Sequence, residues 1–338
     1  MKKLVLGIVV VLVCLSASAQ QDRHFSMAFA APVLKNPGAA GHGLGSLQAF
    51  TCYRTQWWTA SATPFRTIAG SIDAKILQNS LSSGFMGIGA NFINDVSGDG
   101  KYTLNIVQVP INYTLQIGKD HLLGLGLQPG MYMQSINEGA LYFENQWTNQ
   151  GFNQAMSSGE NLGAFNVSKF DLGAGVYYNA FLKDNFNFQA GISSLHLTAQ
   201  QVSFYNVAEK LYRNFSFYST AHIWPDNTNI SYHPAIWGQV QGPNFEIIAG
   251  CNFEYAIKPV SRHTGYFDGM AISFGTYYRV NDAFIANILY KAGPLTAGVS
   301  YDANVSRLTQ ATNSVGAVEV FLQFNPTFEQ KYSAPRIN

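Results

Sequence analysis

The stretch Leu295-Thr296-Ala297-Gly298-Val299-Ser300-Tyr301-Asp302 alternates strictly: Leu295, Ala297, Val299 and Tyr301 share one side of an extended chain, and Thr296, Gly298, Ser300 and Asp302 the other. Successive side chains of a strand point to opposite faces, so a period of two marks a strand with one apolar and one polar face. The pattern returns in 246–255, where Ile247, Ala249, Cys251, Phe253 and Tyr255 oppose Glu246, Gly250, Asn252 and Glu254. It returns again in 318–324, where Val318, Val320, Leu322 and Phe324 oppose Glu319 and Gln323. Beyond residue 20 no helical periodicity of comparable strength competes with it.

Working outward, such segments fall near 46–58, 63–76, 84–96, 102–117, 121–134, 167–180, 185–197, 211–223, 229–240, 244–257, 269–280, 283–291, 295–302 and 315–324. That is fourteen, an even number, and many are long. Strands of soluble proteins usually run about 5–6 residues, whereas a tilted strand crossing a bilayer needs about 9–11. Turn residues join them, as in Ser97-Gly98-Asp99-Gly100, Pro225-Asp226-Asn227 and Gly242-Pro243-Asn244. No shift of composition divides the chain, so one barrel domain over 46–325 is expected, with a short tail over 326–338.

Charged residues make up 12% of the 338, about half the roughly 25% of ordinary globular chains, while aromatics reach 14%. Mean hydropathy is +0.01. This is too few charges for a typical soluble enzyme and too little hydrophobicity for a helical membrane protein. A net charge of +1 offers no electrostatic footprint for nucleic acid. Lys2 and Lys3, the apolar run Leu4–Leu15 and the small residues Ala17-Ser18-Ala19 read as a secretory signal peptide over 1–19. Cys14 is preceded by the bulky Val13, which argues against a lipoprotein cysteine. Of the remaining cysteines, Cys52 falls on a polar strand face and Cys251 on an apolar one, so the two are expected to be unpaired.

Lipid requires that every backbone group be bonded internally, so only helices and closed barrels span it. With helices lacking, an apolar face and a polar face on long strands fit an outer-membrane barrel, its polar side lining the lumen. The competing fold is a soluble exported β-sandwich, which also alternates but hides its apolar face between two sheets. If the first strand rises from the periplasm, 135–166, 198–210 and 303–314 become outer loops, as short periplasmic turns and long outer loops require. The connection 258–268 is then a long periplasmic one. The segment 20–45, ahead of the first strand, is a plug or a periplasmic lead-in.

Catalytic patterns are weak. Gly298-Val299-Ser300-Tyr301-Asp302 lacks the second glycine of a nucleophile elbow, and the seven histidines have no metalloprotease spacing. His222 and His233 could meet across the hairpin at Asp226-Asn227, where a hydrogen-bonded histidine pair is the ordinary outcome and a metal site the rarer one. Asn94-Asp95 with Asp99-Gly100 resembles part of a calcium loop without its distal Glu, and reads as a polar hairpin turn. Gly87, Gly89, Gly124 and Gly126 lie inside strands, where they would permit curvature. No catalytic residue, cofactor or metal is expected, and no enzymatic activity. Tyr53-Arg54-Thr55-Gln56-Trp57-Trp58 closes the first strand with a lone Arg54, which calls for a carboxylate partner in the lumen: Glu246, Glu254, Asp302 or Glu319, the last favoured because the final strand closes against the first. Arg54, Gln56, Trp57, Asp95, Glu246, Glu254, Asp302 and Glu319 are the candidate lumen or rim residues.

Several segments together resemble the PorP/SprF family of type IX secretion outer-membrane proteins of the Bacteroidetes. Gln21-Asp22-Arg23-His24-Phe25-Ser26 followed by Asn36-Pro37-Gly38-Ala39-Ala40-Gly41 is similar to the family's opening, and Tyr53-Arg54-Thr55-Gln56-Trp57 to its Y-R-x-Q-W signature. Gly87-Ile88-Gly89, Asn94-Asp95 and Gly98 fit further along. So do Asp171-x-Gly173-x-Gly175, Gly191-Ile192-Ser193 to His196, Gly298 to Ser306, Gly316 and Glu319. The resemblance implies an outer-membrane barrel serving export, sometimes gliding motility. Its partners would be outer-membrane lipid, a secreted adhesin-like client with a C-terminal sorting domain, and periplasmic ring components. It supplies no catalytic residues. The rival function is a passive pore or hydrophobic-solute transporter.

Overall fold

The computed structural model describes residues 22–43, 45–78, 80–81, 83–149, 151–159, 165–183, 185–204, 209–258, 269–307 and 309–326. The expected signal peptide, all but Lys258 of the connection 258–268 and all but Pro326 of the tail lie outside the described residues.

Seventeen strands follow in order: β1 (Leu47–Gln56), β2 (Phe65–Ile76), β3 (Gly84–Ser97), β4 (Tyr102–Gln108), β5 (Ile111–Ile117), β6 (His121–Ser135), β7 (Trp147–Thr148), β8 (Gly151–Phe152), β9 (Asn166–Lys183), β10 (Phe186–Leu195), β11 (Asn214–Ile223), β12 (Ile230–Gln241), β13 (Asn244–Lys258), β14 (Met270–Arg279), β15 (Ala283–Ala292), β16 (Leu295–Asn304) and β17 (Val315–Phe324). β7 and β8 form a small ribbon of their own. The other fifteen make one antiparallel sheet in which strands pair with their neighbours along the chain, except that β4 and β5 do not pair with each other and each instead pairs with both β3 and β6; β1 pairs with both β2 and β17. The ring therefore closes, which removes the exposed edges an open sheet would carry.

β4 and β5 are two halves of a single span, so the barrel has fourteen. Residues 102–117 were expected as one unbroken strand; the structure interrupts them at Val109-Pro110. Proline has no N–H for the ladder. The wall is bridged there by Val109 donating to the Pro129 carbonyl and Gly89 donating to the Pro110 carbonyl, each at 2.9 Å.

The apolar face looks outward with nothing packed over it: Phe245 is 62% exposed, Phe284 58% and Leu127 56%. The polar face is interior, with Asp302 and Glu319 each 1% exposed. This reverses the order of a soluble sandwich and is what a wall solvated by hydrocarbon requires. Among the described residues no helix is long and apolar enough to cross a membrane. Cys52 is buried, and Cys251 is free as well.

The long connections, including 136–165, 196–213 and 305–314, gather at one end of the barrel, and short turns such as 118–120 and 293–294 at the other. Residues 22–43 supply the rest of the interior. They run through three short 3-10 turns, Ala28–Ala30, Pro32–Leu34 and Pro37–Ala39, with prolines opening the second and third and the Asn36 side chain accepting the Gly38 N–H at 2.9 Å. Phe25, Met27 and Leu34 pack with Phe50, Ile93, Leu104, Tyr132 and Phe321 of the wall; Ala39 packs with Tyr177, Trp237 and Tyr277.

Candidate functional site

Inward-facing polar residues of the strands are aimed at the N-terminal segment, and three groups of charges tie it to the wall near the long-loop end. The first is centred on Arg54, which β1 turns inward. Its guanidinium lies 3.1 Å from Asp302 on β16 and 3.2 Å from Glu319 on β17, and it donates to the Ser26 hydroxyl at 2.6 Å. Ser26 donates to Asp302 at 2.6 Å, and Glu319 accepts the backbone N–H groups of Ser26 at 2.8 Å and Met27 at 3.1 Å. Arg279, at the end of β14, adds a second guanidinium 3.1 Å from Asp302, 3.0 Å from Asp282 and 3.7 Å from Glu246. Two wall arginines thus bridge carboxylates from several strands, with a plug serine held between them. Charges so deeply buried are tolerable only in such a bonded cluster.

The second group surrounds His196, which follows β10. Its Nδ1 lies 2.8 Å from Asp171 on β9 and its Nε2 3.0 Å from Asp22. Burial alone would lower the imidazole pKa, but the Asp22 and Asp171 carboxylates override it and raise it to about 10. Burial likewise would raise Asp22, and the His196 charge opposite holds its carboxyl well below the usual range. The pair is therefore an ion pair at neutral pH. Asn214 donates to Asp22 at 2.7 Å and Gln241 at 3.2 Å. The third group is Arg23, whose Nε is 2.6 Å from Asp95, itself an acceptor from Thr67 at 2.6 Å.

His24 lies 3.3 Å from Glu246. Burial, with Arg279 and Arg54 near, holds the His24 pKa well below its ordinary value. Lower down, Asn112 donates to the Ala40 carbonyl at 2.8 Å, Asn91 to that of Val33 at 2.9 Å and Ser193 to that of Lys35 at 2.7 Å. Asp73 accepts the Gly41 N–H at 2.7 Å. The wall glycines, expected to serve curvature, have another use: a Cβ at Gly126 would collide with the Pro37 backbone and one at Gly87 with Ala40. They let two backbones approach.

Of the residues singled out from sequence, Arg54, Asp95, Glu246, Asp302 and Glu319 come together around the N-terminal segment. Asp95 is not in a hairpin turn; it lies within β3, and the turn begins at Gly98. The error arose because a polar run beside a glycine looks the same in either setting. Gln56 accepts from Arg54 at 3.3 Å. Trp57 stands at the rim with φ +59°, its ring packed edgewise on Phe65 at 4.9 Å. Glu254 is apart from these groups, in the cavity nearer the short turns. Arg279, Asp282, Asp73 and the carboxylate-flanked His196 were not anticipated as site residues. Arg279 carries the signal that exposed Arg54: a charge at an inward position of an alternating strand. His222 and His233 do meet, Nδ1 to Nδ1 at 2.5 Å, and the described residues contain no cluster of three or more metal-ligating side chains.

A closed fourteen-span antiparallel ring with its apolar side turned out is an outer-membrane β-barrel. The family model of the type IX secretion system membrane protein PorP/SprF matches residues 17–324, and the chain belongs to that family. No curated protein matches it in sequence. Among solved structures it is similar to the toluene transporter TbuX of Ralstonia pickettii, with TM-score 0.50, 9% identity, and 89% of this chain and 94% of that one covered. It is similar also to the toluene transporter TodX of P. putida, with TM-score 0.50, 10% identity and coverages of 89% and 94%. At these identities the likeness is one of fold. Residues that carried the family resemblance, Asp22, Arg23, Ser26, Arg54, Asp95, Asp171, His196, Asp302 and Glu319, meet at the interface between segment and wall.

Proposed function

We propose that this barrel is a non-enzymatic scaffold of the type IX secretion system, closed by its own N-terminus. It supports the export or surface attachment of an adhesin-like client with a C-terminal sorting domain, in concert with periplasmic ring components, and in some settings gliding motility. The observation that carries this reading is the ion-paired seat of residues 22–43, anchored by Arg54, Asp302 and Glu319 on one side and Asp22–His196 on another. A freely conducting pore has no use for a segment bonded to its wall at so many points, whereas a scaffold gains rigidity from it. The segment 20–45 is then a plug; Arg54, Asp95, Glu246, Asp302 and Glu319 anchor it; Gln56, Trp57 and the long loops face partners on the outer side. A pull-down of the tagged protein from solubilised envelopes, read by mass spectrometry, is expected to recover a large secreted protein with a C-terminal sorting domain together with ring components. Recovery of neither would contradict the reading.

The second reading is passage of a hydrophobic solute. It is favoured by a cavity of about 650 Å³ left inside the barrel and by a fold shared with toluene transporters. Uptake by proteoliposomes of a monoaromatic hydrocarbon above the rate of empty vesicles would support it, and equal rates would end it.

A further inference from the structure

The cavity has a chemistry of its own. It lies between the N-terminal segment and the short-turn end, where Trp224, Gly293 and Pro294 border it. Its volume, about 650 Å³, is within the roughly 300–1,000 Å³ typical of small-molecule sites. Phe29 of the segment stacks on Tyr277 of β14, centroids 5.2 Å apart, and Leu289 and Phe321 extend the same apolar wall.

Two ammonium groups stand at this wall with no hydrogen bond or close ion pair, Lys75 having Asp73 as an acidic neighbour on the same strand. Lys75, near the end of β2, and Lys291, near the end of β15, both line the cavity, and neither ammonium makes an ion pair or hydrogen bond among the described residues. Lys75 instead sits over the Phe85 ring at 5.5 Å. The acidic groups are Asp73, which holds the Gly41 N–H, and Glu254. The histidines bordering Glu254 are engaged: His233 bonds His222 and Ser231. A partly desolvated ammonium with no hydrogen-bond acceptor is costly, and an anion brought into contact with it lowers that cost.

We propose that this cavity binds a small amphipathic anion, with its apolar chain or ring against Phe29, Tyr277, Leu289 and Phe321 and its anionic head at Lys75 and Lys291. The site stands apart from the secretion reading, since it needs only the cavity and its two lysines.

The test uses the full-length protein held in amphipol, so that no detergent competes, titrated calorimetrically with decanoate and with decyltrimethylammonium. Decanoate is expected to bind saturably, and the cation of equal chain length at least tenfold more weakly. Lys75→Met and Lys291→Met should each weaken decanoate severalfold, and together at least tenfold, while leaving the heat-resistant folded band on gels in place, because neither lysine makes a hydrogen bond or close ion pair to the wall and Met keeps the apolar stem that lies on Phe85. Ala271→Trp, which fills the cavity, should abolish binding without touching a charge. A pentapeptide of apolar residues with a free C-terminal carboxylate, compared with its amide, tells a polypeptide tail from a lipid-derived acid; carboxylate-dependent binding of either supports the site. Equal affinity for anion and cation, decanoate binding unchanged in the double lysine variant, or no saturable binding of any carboxylate would overturn it.

Discussion

Arg54 on the first strand faces Glu319 on the last in direct register, with 3.2 Å between guanidinium and carboxylate. The seam that closes the barrel and the seat of the N-terminal segment are therefore the same structure, because Glu319 also accepts the backbone N–H groups of Ser26 and Met27. Replacing Arg54 with Met leaves Asp302 and Glu319 as buried carboxylates without their shared cation. Breaking a buried pair from one side costs about 3–5 kcal/mol. The Arg54→Met barrel should unfold at a clearly lower temperature in gel heat-modifiability assays, and adding Glu319→Gln should restore part of the loss by removing one orphaned charge.

His196 makes part of the anchoring pH-dependent. Its value in the folded protein, about 10, lies above the roughly 6.5 of an unfolded chain. The stability it contributes is whole below about pH 6.5 and is lost as pH rises through about 10. Asp22 is shifted the other way, so its contribution is whole above about pH 4 and is lost only in stronger acid. Trypsin cleavage after Arg23 or Lys35 in the native barrel should therefore increase between pH 7 and 10. In His196→Gln it should already be high at pH 7 and respond little to that rise.

The close approach at Gly126 gives a steric test. Gly126→Val sets a side chain against the Pro37 backbone. The barrel should still assemble, because β6 keeps its pairing with β5 and β9, while the N-terminal segment loses its seat. Limited proteolysis should cut that segment many times faster than in the unaltered protein, with the barrel fragment unchanged.

The outer wall is tested at Val299, which is 50% exposed at mid-strand on β16. An arginine on the lipid face near the bilayer midplane costs about 2–4 kcal/mol. Val299→Arg should lower the yield of folded protein in outer-membrane fractions, and Val299→Leu should not. Equal yields would mean that this face does not meet hydrocarbon.

The strands could be read from the sequence because the two-residue period acts on each strand separately, whatever its neighbours. All fourteen expected segments are strands; what escaped were the break at Pro110, a local event inside a pattern that continues on both sides, and the small β7–β8 ribbon within the expected loop 135–166. The phase of each strand also revealed inward charges such as Arg54. What could not be read was the path of residues 22–43. They have no periodicity, and their place is fixed by bonds such as Asp22 to Gln241, 219 positions away. For the same reason Arg23 could not be matched to Asp95, nor Asp22 and Asp171 to His196. The glycines of the wall were visible as a pattern, but their purpose depends on a backbone that only the assembled barrel brings near them.

Whether the N-terminal segment seals the lumen is measured most directly by single-channel recording in planar bilayers. The intact protein should show no sustained ohmic conductance, and a variant lacking residues 22–43 should show steady open channels. Steady conductance by the intact protein, equal to that of the deletion variant, would contradict the account.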